Sequence, residues 1–121
     1  MALDRLWYDP AKLCVGGAWR DADGGDTLPL EDPSTGAEIG RIARGTPADI
    51  DAAVSAAAAA RAGAWGRATA AERGRVLARI GRLVAARVDD LAAIEAADVG
   101  KPLAQARADA LALARYMEFY G

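Results

Sequence analysis

A lysine directly after a glycine is the pair that grips phosphate in nucleotide-binding loops, and this chain has one such pair, Gly100-Lys101, followed by Pro102. The P-loop spacing requires a glycine five residues earlier and Ser or Thr after the lysine. Glu95 and Pro102 stand there instead, so the phosphate chemistry fails at two positions. A helix corner fits the residues: Gly100 takes the left-handed position past one helix and Pro102 opens the next. "GRIARG" (residues 40–45) likewise lacks the GxGxxG spacing of a dinucleotide loop. The sole thiol, Cys14, sits between Leu13 and Val15 with no histidine or adjacent basic residue to lower its pKa. Alternation predicts a strand there and a buried, small, inert side chain.

The missing residue types narrow the chemistry further. The chain has no histidine, no asparagine and one cysteine, which removes Ser-His-Asp and Cys-His catalysis, histidine-containing zinc sites and CxxC redox chemistry. The acidic pairs Asp21/Asp23 and Asp89/Asp90 read as loop and cap residues. No catalytic and no cofactor-binding residue is expected within these 121 residues.

Composition points the same way. Lys plus Arg number 15 against 17 Asp plus Glu, for a net charge of -2, and no basic stripe interleaved with aromatics is present. No nucleic-acid partner is expected. No apolar run approaches the ~20 residues of a membrane span, and Asp4 and Arg5 interrupt the place where a signal peptide carries its apolar stretch. A single cysteine suits a reducing compartment, and the expected location is the cytoplasm, with no membrane partner. Apolar residues make up 53% of the chain but aromatics only 6%, so large core-fillers are scarce.

Two kinds of element must position whatever these residues do. The first part, residues 1–45, reads as short antiparallel hairpins. Leu13–Val15 and Ala18–Arg20 flank Gly16-Gly17, a pair suited to a tight hairpin turn. Thr27–Glu31 and Ala37–Ala43 flank the turn "DPSTG", with Pro29 indicating an edge strand. Residues 46–121 read as helices. Thr46-Pro47-Ala48-Asp49 provides a hydroxyl cap, a first-turn proline and an acid. The apolar stripe that follows is Ile50, Val54 and Ala57/Ala58, and Gly63 ends it. A linker with Trp65 comes next. Thr69 and Glu72 form a capping box, ahead of Val76, Leu77, Ile80, Leu83 and Val84 at helical spacing. Asp89 or Asp90 recaps a shorter helix. The last helix carries Leu103, Ala106, Ala110, Leu113, Met117 and Tyr120 on one side. It reaches Gly121 without a stop signal, so the chain reads as truncated. The expected fold class is α+β, short antiparallel hairpins followed by a helical region.

The order of these motifs resembles the N-terminal segment of the aldehyde dehydrogenase superfamily. The resemblance rests on Gly16-Gly17-Ala18-Trp19, Asp32-Pro33-Ser34-Thr35-Gly36 and Asp49-Ile50-Asp51-Ala52-Ala53-Val54. Trp65, Glu72-Arg73 with Leu77 and Leu83, and Glu95 with Asp98-Val99-Gly100-Lys101-Pro102 complete it. Asp32 departs from the family's usual asparagine before the proline, and it still starts the turn. The resemblance implies that residues 1–121 are the first part of an α/β cofactor-binding domain. The parent would be an NAD(P)-dependent aldehyde dehydrogenase that works through a cysteine thiohemiacetal and thioester. The nucleophile, base, oxyanion asparagine and nucleotide loop would all lie beyond Gly121. It further implies that this chain alone is inactive, that its partner is the remainder of the enzyme chain, and that the full-length protein is a homo-oligomer. A structural Na+ or K+ ion held by Asp98 and a carbonyl at Leu30 or Glu31 is also implied; the other role open to Asp98 is a helix-end carboxylate facing solvent or Lys101. The alternative to the enzyme is a free-standing, non-catalytic helical module that binds a partner or self-associates.

Overall fold

A computed structural model describes residues 6–121. Four strands precede five helices: β1 (Leu13–Val15), β2 (Ala18–Arg20), β3 (Thr27–Glu31), β4 (Glu38–Ala43), α1 (Pro47–Ala62), α2 (Ala64–Arg67), α3 (Ala70–Ala85), α4 (Val88–Val99) and α5 (Leu103–Phe119). The described chain forms two compact units. A hairpin unit comprises residues 6–31 and 38–67, and a helical unit comprises residues 32–37 and 68–121.

In the hairpin unit, β1 and β2 pair antiparallel with Leu13 opposite Arg20 and Cys14 opposite Trp19. Gly16 (φ 62°) and Gly17 (φ 82°) make the turn, a backbone shape closed to most side chains. β3 and β4 form a second two-stranded sheet with a register shift between Leu30 and Glu31. β4 begins at Glu38, one residue later than the sequence suggests, because the Ala37 carbonyl instead accepts the Asp32 N–H and closes the turn. Every strand here has an unpaired edge, which is how Pro29 is accommodated without a lost ladder bond.

α1 starts at a capping box: Thr46 Oγ1 accepts the Asp49 N–H, and the Asp49 carboxylate accepts the Thr46 N–H. The face it turns inward differs from expectation. Ile50 and Val54 are 61% and 63% exposed, whereas Asp49 is buried and Ala52, Ala53 and Ala56 are half-buried. Those four follow i, i+3, i+4, i+7 spacing, so the inner face is helical but made of the smallest side chains. The Trp65 linker contains one helical turn, α2.

The helical unit is built on the same small residues. α3 opens with the Thr69–Glu72 capping box, Thr69 N–H to Glu72 Oε2 at 2.7 Å and Glu72 N–H to Thr69 Oγ1 at 3.2 Å. Its buried residues are Gly74 and Gly81, and those of α5 are Ala106, Ala110 and Ala114. A Cβ at Gly81 would lie 2.8 Å from the Ala114 carbonyl oxygen and 3.3 Å from Met117 Cβ. The two helices therefore meet backbone against backbone. Of the expected α3 stripe, Leu77 and Val84 are half-buried while Val76, Ile80 and Leu83 are exposed. On α5, Leu103, Leu113 and Tyr120 are exposed and Ala106, Ala110 and Met117 turn inward. A close approach leaves no room for leucine in the contact itself, which displaces the large side chains outward. α4 also departs from expectation: Arg87 occupies the N-cap position with no side-chain cap bond, and Asp89 and Asp90 lie in the first turn. There they complement the positive end of the helix, and Asp89 Oδ1 pairs with Arg107 at 2.6 Å.

Gly81→Ala gives a test of this packing with an informative sign. In an exposed helix the change would stabilise by roughly 1 kcal/mol. Here the added methyl meets a backbone carbonyl that cannot rotate away, and a net loss of about 1–3 kcal/mol is expected. Thermal unfolding followed by far-UV circular dichroism measures it; an unchanged or raised midpoint would contradict the close α3–α5 contact.

Candidate functional site: the α4–α5 corner and the thiol

The corner at Gly100-Lys101-Pro102 is assembled from three local features. α4 ends with Gly100 in the left-handed region (φ 70°, ψ 17°), and its N–H donates to the Ala96 carbonyl at 3.0 Å. Pro102 sits one residue before α5 as its N-cap, and its carbonyl accepts the N–H groups of Gln105 and Ala106. Between them, Lys101 Nζ donates to Glu95 Oε1 at 2.7 Å and to Asp109 Oδ2 at 2.9 Å. The bond to Glu95, then that to Asp109, raises the lysine pKa above its ordinary value. Lys101 thus ties the last turns of α4 to the second turn of α5 and is engaged in structure. That is the corner role in place of the phosphate role.

The turn at residues 32–37 belongs to the same unit. Asp32 Oδ1 accepts the Ser34 N–H at 2.7 Å and the Asp32 carbonyl accepts the Gly36 N–H at 2.8 Å. The bond from Ser34 leads the groups that hold the Asp32 carboxyl below its usual range. Asp32 therefore starts the turn as an asparagine would. Pro33 packs on the corner: a Cβ at Gly100 would lie 2.9 Å from Pro33 Cγ.

The candidate cation residues are placed as follows. Asp98 is the penultimate residue of α4 and exposed, and its side chain makes no hydrogen bond or ion pair among the described residues. Lys101 turns to Glu95 and Asp109 and not to Asp98. Leu30 and Glu31 close β3 in the other compact unit, the first half-buried and the second exposed. Among the described residues no group of three or more His, Cys, Asp or Glu side chains is arranged to hold a metal ion. By itself the corner offers one carboxylate beside the negative end of a helix.

Cys14 is exposed, which overturns the expectation of a buried strand residue. Its sheet has only two strands, so one face of the alternating pattern stays uncovered, and Trp19 opposite it is 54% exposed. Trp19 stacks instead on Tyr8, with ring centroids 5.3 Å apart and planes at 12°. Sequence reasoning takes Asp49 only for a first-turn acid, whereas it is the one buried charged side chain among the described residues. Its spacing from Thr46 repeats that of Thr69 and Glu72, which was the available signal.

With this geometry in place, comparison with known proteins identifies the family. The profile of the aldehyde dehydrogenase family matches residues 19–121. A Burkholderia cenocepacia chain provisionally named an aldehyde dehydrogenase is 57% identical, with a TM-score of 0.86 over 88% of this chain and 22% of that one. The HpcC protein of Thermus thermophilus is 35% identical, with a TM-score of 0.91 over 98% of this chain and 23% of that one. A betaine aldehyde dehydrogenase of Staphylococcus aureus, solved with NAD+, is 25% identical, with a TM-score of 0.86 over 91% of this chain and 22% of that one. The chain belongs to the aldehyde dehydrogenase family, and its hairpins and helices are the α+β N-terminal region of that fold. It spans 22–23% of the length of these relatives.

The exposed thiol gives a direct check. Cys14 in the native chain should react with an aromatic disulfide reagent within about tenfold of the rate in denaturant, since the thiol is exposed. Protection by orders of magnitude would return Cys14 to the interior.

Proposed function

We propose that this chain is the N-terminal portion of an NAD(P)-dependent aldehyde dehydrogenase that oxidises an aldehyde to a carboxylic acid. The observation that carries the proposal is the family match over residues 19–121 at under a quarter of the relatives' length. In that chemistry a cysteine thiolate adds to the aldehyde carbonyl and hydride passes from the adduct to the nicotinamide. Water then hydrolyses the thioester, releasing acid and thiolate. The groups for these steps belong to the portion beyond residue 121. The S. aureus relative's complex with NAD+ supports a nicotinamide cofactor.

Within the enzyme this segment serves as packing. Val76, Ile80 and Leu83 on α3 and Tyr116 and Phe119 on α5 are exposed here, and the remainder of the enzyme chain is the partner that would cover them. Asp98 is proposed to hold Na+ or K+ once the rest of the chain completes the oxygen shell; its place at the negative end of α4 supports this. A full-length homo-oligomer in the cytoplasm completes the proposal. Among the described residues no helix is long and apolar enough to cross a membrane.

Residues 1–121 alone should not reduce NAD+ or NADP+ with any aldehyde, whereas the full-length parent should do so. In that parent, Cys14→Ser should leave kcat within about a few-fold. A fall on the order of 10³ on losing Cys14 would place the nucleophile here and overturn the proposal.

A further inference from the structure

One carboxylate gathers the hairpin unit. Asp49 is 3% exposed, and its two oxygens meet four donors. Oδ1 accepts the Arg20 guanidinium at 2.7 Å, and Oδ2 accepts the Asp23 N–H at 3.0 Å, the Thr46 N–H at 2.9 Å and the Thr46 hydroxyl at 3.1 Å. Arg20 ends β2, Asp23 lies in the loop that follows, and Thr46 caps α1. Two segments distant in sequence, residues 20–23 and 46–49, therefore converge on a single side chain.

Two backbone bonds, Ala43 N–H to the Pro10 carbonyl and Arg44 N–H to the Asp26 carbonyl, also tie this region to the stretch ahead of α1, but the apolar contact is small. The inner face of α1 is Ala52, Ala53 and Ala56, with Ala56 Cβ 3.7 Å from the place a Gly16 Cβ would occupy. Ala22 is the one buried apolar residue of this unit among the described residues. Alanine contacts bury little area and stabilise correspondingly little. The polar node, by contrast, is fully partnered: no buried side-chain nitrogen or oxygen among the described residues lacks a hydrogen bond.

We propose that Asp49 is an acid-operated latch: protonation of its carboxylate frees the β1–β2 hairpin and its following loop from α1 while α3–α5 remain folded. A neutral carboxyl loses its attraction to Arg20, and of the groups that face it only the Thr46 hydroxyl oxygen can accept its new proton, while Arg20 and the two backbone N–H groups can only donate. Arg20 is the one charged group that acts on Asp49; Asp23 and Thr46 meet it with backbone N–H groups and a hydroxyl. The Thr46 N–H, then the Asp23 N–H, outweigh burial and hold the carboxyl below its ordinary value. The sign follows: the latch is closed above the usual carboxylate range and is lost as pH falls through the lowered pKa. The helical unit has no such dependence at its core, where Gly74, Gly81, Ala92, Ala106, Ala110 and Ala114 carry no titratable group. Its own carboxyls that are held low, Glu72 by the Thr69 N–H and Asp32 by the Ser34 N–H, and its ion pairs, Lys101 with Glu95 and Asp109 and Arg107 with Asp89, lie near the surface and contribute little.

The chain carries its own reporter. Trp7, Trp19 and Trp65 all lie in the hairpin unit, so tryptophan emission follows that unit alone, while far-UV circular dichroism follows the helices of both. In an acid titration of the 121-residue chain at low concentration, the tryptophan change should be complete at a higher pH than the loss of helix. Coincidence of the two signals in a single transition would overturn the latch. Asp49→Asn should give the released tryptophan signal at neutral pH with helix retained and no separate acid step. An acid step unaltered in that variant would also overturn it. Arg20→Gln keeps the carboxylate and removes the cation, so its tryptophan step should move to higher pH; it decides the matter if Asp49→Asn does not fold, and no movement counts against the latch. The outcome is independent of the enzymatic proposal, which concerns residues beyond this chain.

Discussion

The contact of α5 with α3 at Gly81 sets the terms for the helical unit. Where a Cβ would come within 2.8 Å of the Ala114 carbonyl oxygen, 3.0 Å of Glu118 Cγ and 3.3 Å of Met117 Cβ, only glycine fits. Ala106, Ala110 and Ala114, at four-residue spacing, are the buried residues of α5. Close backbone approach gives dense dispersion contact without bulky side chains. The cost is area: no large side chain among the described residues is fully buried. Leucine and aromatic residues that would fill a wider core are left on the outer faces, and the segment has apolar surface to offer on more than one side.

That constraint also explains what could be read in the sequence. Local features were legible because their cause is local. Gly16-Gly17 needs only its own backbone freedom, and Thr69 with Glu72 needs only the first turn of its helix. Faces were read less well, because large apolar side chains were assumed to mark the interior. Ile50 and Val54 on α1, and Leu103 and Leu113 on α5, contradict that assumption. Alanine marks the inside in this chain, and alanine is too frequent in it to single out a face. Cys14 was misplaced for a related reason: alternation identifies a strand, but not whether anything covers either side of it.

The role of Asp49 illustrates a different limit. Its cap bond to Thr46 spans three residues, but Asp23 and Arg20 lie 26 and 29 residues away. Nothing in composition or periodicity links a helix-capping acid to an arginine at the end of an early hairpin. The corner at Lys101 was legible as a corner because both glycine and proline announce it, while the partners of the lysine, Glu95 and Asp109, emerge only from the packing of α4 on α5. Composition bears on the chemistry only by subtraction: without histidine the chain cannot assemble a Ser-His-Asp or Cys-His site.

Pro33 occupies the space that a side chain at Gly100 would need, yet the two positions are not equally free to drift. Pro33 sits in an exposed turn whose hydrogen bonds belong to Asp32, Ser34 and Gly36, so a smaller residue there would leave the turn intact and open space at the corner. Gly100 is confined twice over, by that neighbour and by its own positive φ. Mutational paths through this pair therefore run one way: the proline can go first and at little harm, while a side chain at position 100 stays strained even after the proline has gone.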